Sequence, residues 1–202
     1  MANNATQQSY ASSSFILGVI GELIPGVYQE VIDNTWSNIL RVYFGVNDFY
    51  VQPSRSLKKA NVVVSNYLRT RPPGQDRLVQ TRHKVLLVEA KRFPRSARHD
   101  SNWSVNYDWQ RVLDQLGKYM RQARAEFGNL QTMYGIVAVG NKARFYQMNC
   151  SSTAGHMVTF NPNNPLGGGI QNRILDLTTN ADIIHNYLSV IADHVAASRN
   201  RW

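Results

Sequence analysis

The residues Lys84–Lys91 read KVLLVEAK, a short apolar run with charge at both ends. Runs of this length, rich in valine and leucine, read as buried strands. Alternation along the strand sets Val85, Leu87, Glu89 and Lys91 on one face and Lys84, Leu86, Val88 and Ala90 on the other. Glu89 and Lys91 therefore project side by side from the end of an apolar strand. Upstream, Asn61–Leu68 reads NVVVSNYL, also β-branched and aromatic, and Arg71–Gly74 reads RPPG, a strong breaker. The segments Asn61–Leu68 and Val79–Lys91 together predict a β-hairpin. Centred near residue 75, such a hairpin pairs positions whose numbers sum to about 150, which sets Asn61 opposite Glu89.

Working outward, Pro94 ends the second strand, and a long polar loop, expected to be mobile, leads to Asp108. Trp109, Val112, Leu113, Leu116, Met120, Ala123 and Phe127 then fall at helical spacing. Two further strands are expected over Met133–Val139 and Lys142–Met148, joined by a tight turn at Gly140-Asn141. Residues 150–172 read as an irregular excursion, and Ile183 to Val195 as a closing helix. Before the hairpin, Val27, Val31, Ile32, Trp36, Ile39, Leu40, Tyr43 and Phe44 mark a first amphipathic helix. The order helix, two strands, helix, two strands, helix predicts an α/β domain with a mixed sheet flanked by helices. Residues 15–202 are read as that single domain and residues 1–14 as a flexible polar leader.

The chain of 202 residues is 43% hydrophobic, enough to fill one core, which excludes a disordered tail protein. Its net charge of +9 is concentrated: between Arg55 and Arg98 stand twelve basic residues against Asp76 and Glu89, a local charge of +10. Such a footprint suits a polyanion, nucleic acid first and an anionic membrane surface second. Phe15 to Pro25 is about half of what a membrane span needs, and Met1 to Ser14 hold no Lys or Arg to open a secretory signal. The one cysteine, Cys150, allows no internal disulfide, so an intracellular, cytoplasmic or nuclear, setting is expected.

A carboxylate beside an ammonium at a strand end suits metal-assisted phosphodiester hydrolysis: Glu89 would hold Mg²⁺, and Lys91 would orient or deprotonate the attacking water. On the following helix Gln115 and Tyr119, spaced i and i+4, share a face. With E-x-K followed by Q-x-x-x-Y, the sequence resembles the restriction-endonuclease-like, PD-(D/E)xK, nuclease superfamily, and within it the RecB-type branch. The resemblance covers Lys58 to about Tyr146 and implies a restriction-endonuclease-like core. It implies Glu89 as a metal ligand, Lys91 as the catalytic lysine, Ala90 as a backbone-carbonyl ligand, and Gln115 and Tyr119 as site-shaping or DNA-contacting groups. The cofactor implied is Mg²⁺, with Mn²⁺ as a substitute, and many such nucleases act as homodimers.

The family's first Asp belongs opposite Glu89, where this sequence has Asn61. An amide keeps an oxygen ligand but loses the charge, so a further carboxylate is needed. Glu30 on the first helix is the preferred candidate, ahead of Asp48 and Asp76. Lys58, Lys59, Arg69, Arg92, Arg95 and Arg98 are expected to hold phosphates. The five histidines show no metal-ligand spacing, no phosphate-binding G-x-x-x-x-G-K-[ST] occurs, and Gly167–Gly169 reads as a turn. Trp103, Tyr107 and Trp109 suit base stacking, with core packing favoured for Trp109. The expectation is a metal-dependent nuclease acting on DNA ahead of RNA. The alternative is a catalytically degenerate nuclease fold that binds nucleic acid or protein.

Overall fold

The structure, a computed structural model, describes residues 8–45, 48–53, 60–70, 76, 79–128, 130–151, 155–163 and 173–199. Helix α1 spans Ser14–Gly21, α2 Gln29–Tyr43, and strands β1, β2 and β3 span Phe49–Pro53, Val62–Thr70 and Val79–Lys91. A 3₁₀ turn at Arg95–Arg98 and a one-turn helix α3, Trp103–Asn106, precede α4, Trp109–Phe127. Strands β4, Met133–Val139, β5, Lys142–Met148, β6, Val158–Thr159, and β7, Leu175–Asp176, are followed by α5, Ala181–Arg199. The chain is thus α/β, with an open, mixed sheet of seven strands ordered β1-β2-β3-β4-β5-β6, and β7 paired to β5.

Strand β4 is buried at every position and lies parallel to β3, so the two need a crossover, which α4 supplies. Every other strand pair among the described residues is antiparallel. One core packs α1, α2 and α5 against Val62, Val64, Leu86, Val88 and Ala90. The other packs α4 and Trp103 against Leu87, Val137, Val139 and Tyr146.

The hairpin expected from the sequence is present, and its register near the site is the expected one: Val62, Val63 and Val64 pair with Val88, Leu87 and Leu86. Between Val64 and Ser65 the register shifts, and Ser65 pairs with Lys84. Val85 is the extra residue of a bulge, so it shares a core with Leu86, Val88 and Ala90 instead of the face of Leu87 expected by simple alternation. The sequence pattern missed β1, a five-residue edge strand ending in Pro53, a position where proline costs no ladder bond.

Two segments are more ordered than their polarity suggested. Tyr10, within the expected leader, is fully buried, and its hydroxyl donates to the Leu177 carbonyl at 2.7 Å. The leader reading fails from Ser9 onward, because one aromatic anchor fixes the turn around it; residues 1–7 lie outside the described residues. The polar stretch after Pro94, expected to be a mobile loop, holds the 3₁₀ turn and α3, pinned by buried Trp103. No helix among the described residues is long and apolar enough to cross a membrane.

Candidate active site

Strand β3 delivers Glu89 and Lys91 to the carboxyl end of the only parallel pair in the described sheet, opposite Val137 and Val139 of β4. In open α/β sheets ligands gather outside that end of the strands. Glu89 is 1% exposed, and Lys91 Nζ lies 2.6 Å from its Oε1, with the Lys91 side chain 35% exposed. Burial pushes the Glu89 carboxyl above its ordinary pKa, the bond and charge of Lys91 pull it down, and the negative charge of Asp33 adds to the rise. Glu89 Oε2 is buried with no hydrogen-bond donor. A carboxylate oxygen left in that state is costly.

Asn61 stands just before β2 and bridges two elements. Its Oδ1 accepts from Ala90 N at 2.9 Å and its Nδ2 lies 3.4 Å from Asp33 Oδ2. The backbone N–H of Ala90 can only donate, which fixes the amide with its oxygen toward β3 and its nitrogen toward α2. Gln29 Nε2 donates to Asp33 Oδ1 at 2.8 Å and to the Ala90 carbonyl at 3.0 Å. Three elements thus converge at the strand end: α2 through Gln29 and Asp33, the start of β2 through Asn61, and β3 through Glu89, Ala90 and Lys91. Burial also raises the Asp33 carboxyl, opposed by the bonds from Gln29 and Asn61 and by the charge of Lys91, with Glu30 adding to the rise.

The second acid of this cluster is Asp33, a residue the sequence reading did not single out. Glu30, the acid expected there, is exposed, as are Asp48 and Asp76. The reason is helical phase. At about 100° per residue, Asp33 lies about 80° from the centre of the buried stripe formed by Ile32, Trp36, Ile39, Leu40 and Tyr43, and Glu30 lies about 140° from it. Asn61 Oδ1, expected as a metal ligand, accepts from the Ala90 N–H and keeps its second lone pair. The Ala90 carbonyl, expected as a ligand, accepts from Gln29 and retains a second lone pair.

Gln115 donates to the Tyr119 hydroxyl at 2.9 Å, and Tyr119 packs in the core beneath α4. Among the described residues neither is bonded to Glu89 or Lys91. Trp109 is buried, as favoured; its indole donates to the Ser104 carbonyl at 2.8 Å and its ring carries Arg144 at 4.5 Å.

Of the six basic residues expected to hold phosphates, three are found together. Lys58 and Lys59 lie outside the described residues. Arg69 pairs with Gln80 near the far end of the hairpin, about 23 Å along the strand from Val62. Arg92, Arg95 and Arg98 do come together, lining a cleft of about 520 Å³ with Gly26, Val27, Phe93, Pro94 and His99. Its two walls are the chain directly after Lys91 and the chain directly before Gln29, so it opens beside the acidic cluster.

Glu89 and Asp33, with the Ala90 carbonyl, form a hard oxygen donor set, and the buried, donorless Glu89 Oε2 has the lone pairs a cation would take. Among the described residues no group of three or more His, Cys, Asp or Glu converges. Two carboxylates are compatible with magnesium, which is held by one or two of them together with water and substrate phosphate. No protein-family model matches the chain, no curated protein is detectably similar to it, and no solved structure matches its fold.

Proposed function

We propose that this protein is a metal-dependent nuclease with a restriction-endonuclease-like core, hydrolysing phosphodiester bonds in DNA. The observation that carries the reading is the strand-end cluster in which Glu89 is paired with Lys91 at 2.6 Å while Asn61 and Gln29 hold Asp33 beside them. The E-x-K strand leads into the Q-x-x-x-Y helix in the order that the superfamily resemblance implies, and the mixed sheet flanked by helices is compatible with it.

Glu89 and Asp33 would hold Mg²⁺ or Mn²⁺, with the Ala90 carbonyl as a third oxygen. The ion, when bound, polarises the scissile phosphate and lowers the pKa of a coordinated water. Lys91 keeps one N–H on Glu89 and has two more to offer to a water or a non-bridging phosphate oxygen. Asn61 and Gln29 are positioning residues: they orient Asp33 and tie it to the β3 backbone. The guanidiniums of Arg92, Arg95 and Arg98 supply the charge that draws a nucleic-acid strand across the cluster. A single free, exposed Cys150 suits an intracellular, reducing setting.

One observation favours a second reading, a nuclease fold that binds nucleic acid without cutting it: the residue level with Glu89 is the uncharged amide Asn61, which brings no negative charge to an ion. Incubation of supercoiled plasmid with the protein in Mg²⁺, Mn²⁺ or EDTA separates the two. Metal-dependent nicking that falls ~10²-fold or more in Glu89→Ala and Lys91→Ala is expected. Binding without cutting in every metal establishes the second reading. Cutting that persists in both variants removes the cluster from catalysis.

A further inference from the structure

The arginine cleft carries more than diffuse attraction for a polyanion. Arg95 and Arg98 sit three residues apart on a 3₁₀ turn, where side chains at i and i+3 eclipse one another. Arg92 joins them from the end of β3, and His99 adds a fourth nitrogen group to the lining. Among the described residues no carboxylate lines the cleft and none of the three arginines is in an ion pair. Three guanidiniums gathered without a counter-charge repel one another, and an anion is what relieves that repulsion.

Two glycines admit lining side chains close to the backbone. Gly26 has φ +109°, and a Cβ there would stand 2.7 Å from Arg98 Nη2, so the absent side chain is what lets the guanidinium lie against the backbone before α2. Gly140, at φ +54°, faces the Phe93 ring, which a Cβ would meet at 2.5 Å. Phe93 is further held edge-on by Trp103, with centroids 5.7 Å apart. One charged and one aromatic side chain of the lining, Arg98 and Phe93, therefore each lie close against the backbone at a glycine.

We infer that this cleft is a subsite for a phosphate monoester, the phosphorylated end of a DNA strand whose adjoining nucleotide lies against Phe93 and Val27. A monoester bears close to two negative charges near neutral pH and presents three equivalent oxygens, whereas a backbone diester bears one charge. Clustered guanidiniums recognise such a group through paired N–H donors. A volume of about 520 Å³ is that of a small-molecule site and suits one terminal nucleotide, not a duplex. The identity of the ligand as a strand end rests on the nuclease reading; the preference for a monoester rests on the cleft alone. With the end seated there, the acidic cluster a few residues away on both flanking segments faces the next linkages of the same strand, which makes the enzyme one that works from phosphorylated ends.

The test measures binding in EDTA, where no cutting occurs. Fluorescence anisotropy would compare one single-stranded oligonucleotide bearing a 5′-phosphate, a 3′-phosphate or hydroxyls at both ends, at about 0.1 M salt to screen diffuse attraction. Tenfold or tighter binding of one phosphorylated form is expected, and which form wins identifies the end. Arg98→Gln and the double variant Arg95→Gln/Arg98→Gln should bring the forms to within twofold, with urea midpoints showing that both remain folded. Equal affinity for phosphorylated and hydroxyl ends, or a preference that survives the double variant, overturns the inference. Inorganic phosphate that binds as tightly as the phosphorylated oligonucleotide overturns the assignment to a strand end. A protein that prefers one phosphate end yet never cuts DNA retains this subsite and loses the nuclease reading, so the two failures are distinguishable.

Discussion

Asn61 Nδ2 lies 3.4 Å from Asp33 Oδ2, so the residue opposite Glu89 serves a carboxylate from the neighbouring helix instead of replacing one. The same side chain accepts from Ala90 N, making it a clamp between α2 and β3. Asn61→Asp removes the donor and sets a third carboxylate beside Asp33 and Glu89, whose pKa values are already raised. A loss of about 1–3 kcal/mol in urea denaturation is expected, as for a buried bond left unmade. Plasmid cutting should fall as well. An Asn61→Asp protein that cuts faster than the wild type would instead mark this position as a vacated ligand site.

The raised carboxyls fix a sign for pH dependence. Glu89 is held above its ordinary pKa chiefly by burial, with Asp33 adding and Lys91 opposing. As pH rises through the ordinary carboxylate range the unfolded chain loses its proton first, so the native state binds more protons. Stability from this group is full below the unfolded pKa and is lost as pH rises through the folded one. Glu89→Gln abolishes the titration. The urea midpoint of Glu89→Gln relative to wild type should therefore climb from pH 4 upward until the wild-type group is ionised, then level off. A difference that is flat across that range would contradict the raised carboxyl.

Much of this was legible because strands and helices declare themselves by period. The KVLLVEAK run, its hairpin partner and the register that brings Asn61 to the level of Glu89 followed from alternation and the RPPG breaker, and the pairing of Val62 with Val88 agrees with it. The acid from the first helix was legible only in kind. Glu30 and Asp33 stand one turn apart, and the choice depends on which flank of α2 borders the buried stripe. That signal lay in the phase of Ile32, Trp36 and Leu40, and in the i, i+4 pairing of Gln29 with Asp33. The Val85 bulge and the docking of Tyr10 had no local signal, since each depends on long-range packing. The cleft was legible as charge but not as a shape, because its lining joins residues 26–27 to residues 92–99, far apart in the chain.

Gly140 offers a test of that shape independent of any ligand. It combines φ +54° with a Phe93 ring within 2.5 Å of where a Cβ would stand. Its N–H also donates to the Lys91 carbonyl at 2.9 Å, so its position is coupled to the end of β3. Gly140→Ala should cost about 1–3 kcal/mol from the left-handed backbone alone, with the displaced ring adding to it. The measurement is the urea midpoint; a variant as stable as wild type would mean that Phe93 has room to move and that the cleft wall is soft.

The last prediction decides which acid on α2 belongs to the site, and it needs no substrate. A divalent ion that binds the native state alone stabilises it, by about 2.7 kcal/mol at a hundred times its Kd. For a chain of this size that corresponds to about 5–10 °C in Tm. Mg²⁺ or Mn²⁺ should raise the Tm of the wild-type protein and of Glu30→Gln alike, because the Glu30 side chain is exposed and acts on the cluster only through its charge on Asp33. Asp33→Asn and Glu89→Gln should abolish the rise, since each removes one of the two carboxylates available to the ion. The rise should also be larger at pH 8 than at pH 5.5: both acids have raised pKa values, and the ion must displace whatever protons remain on them. A shift lost in Glu30→Gln but kept in Asp33→Asn would return the second ligand to the exposed acid and require α2 to rotate on binding.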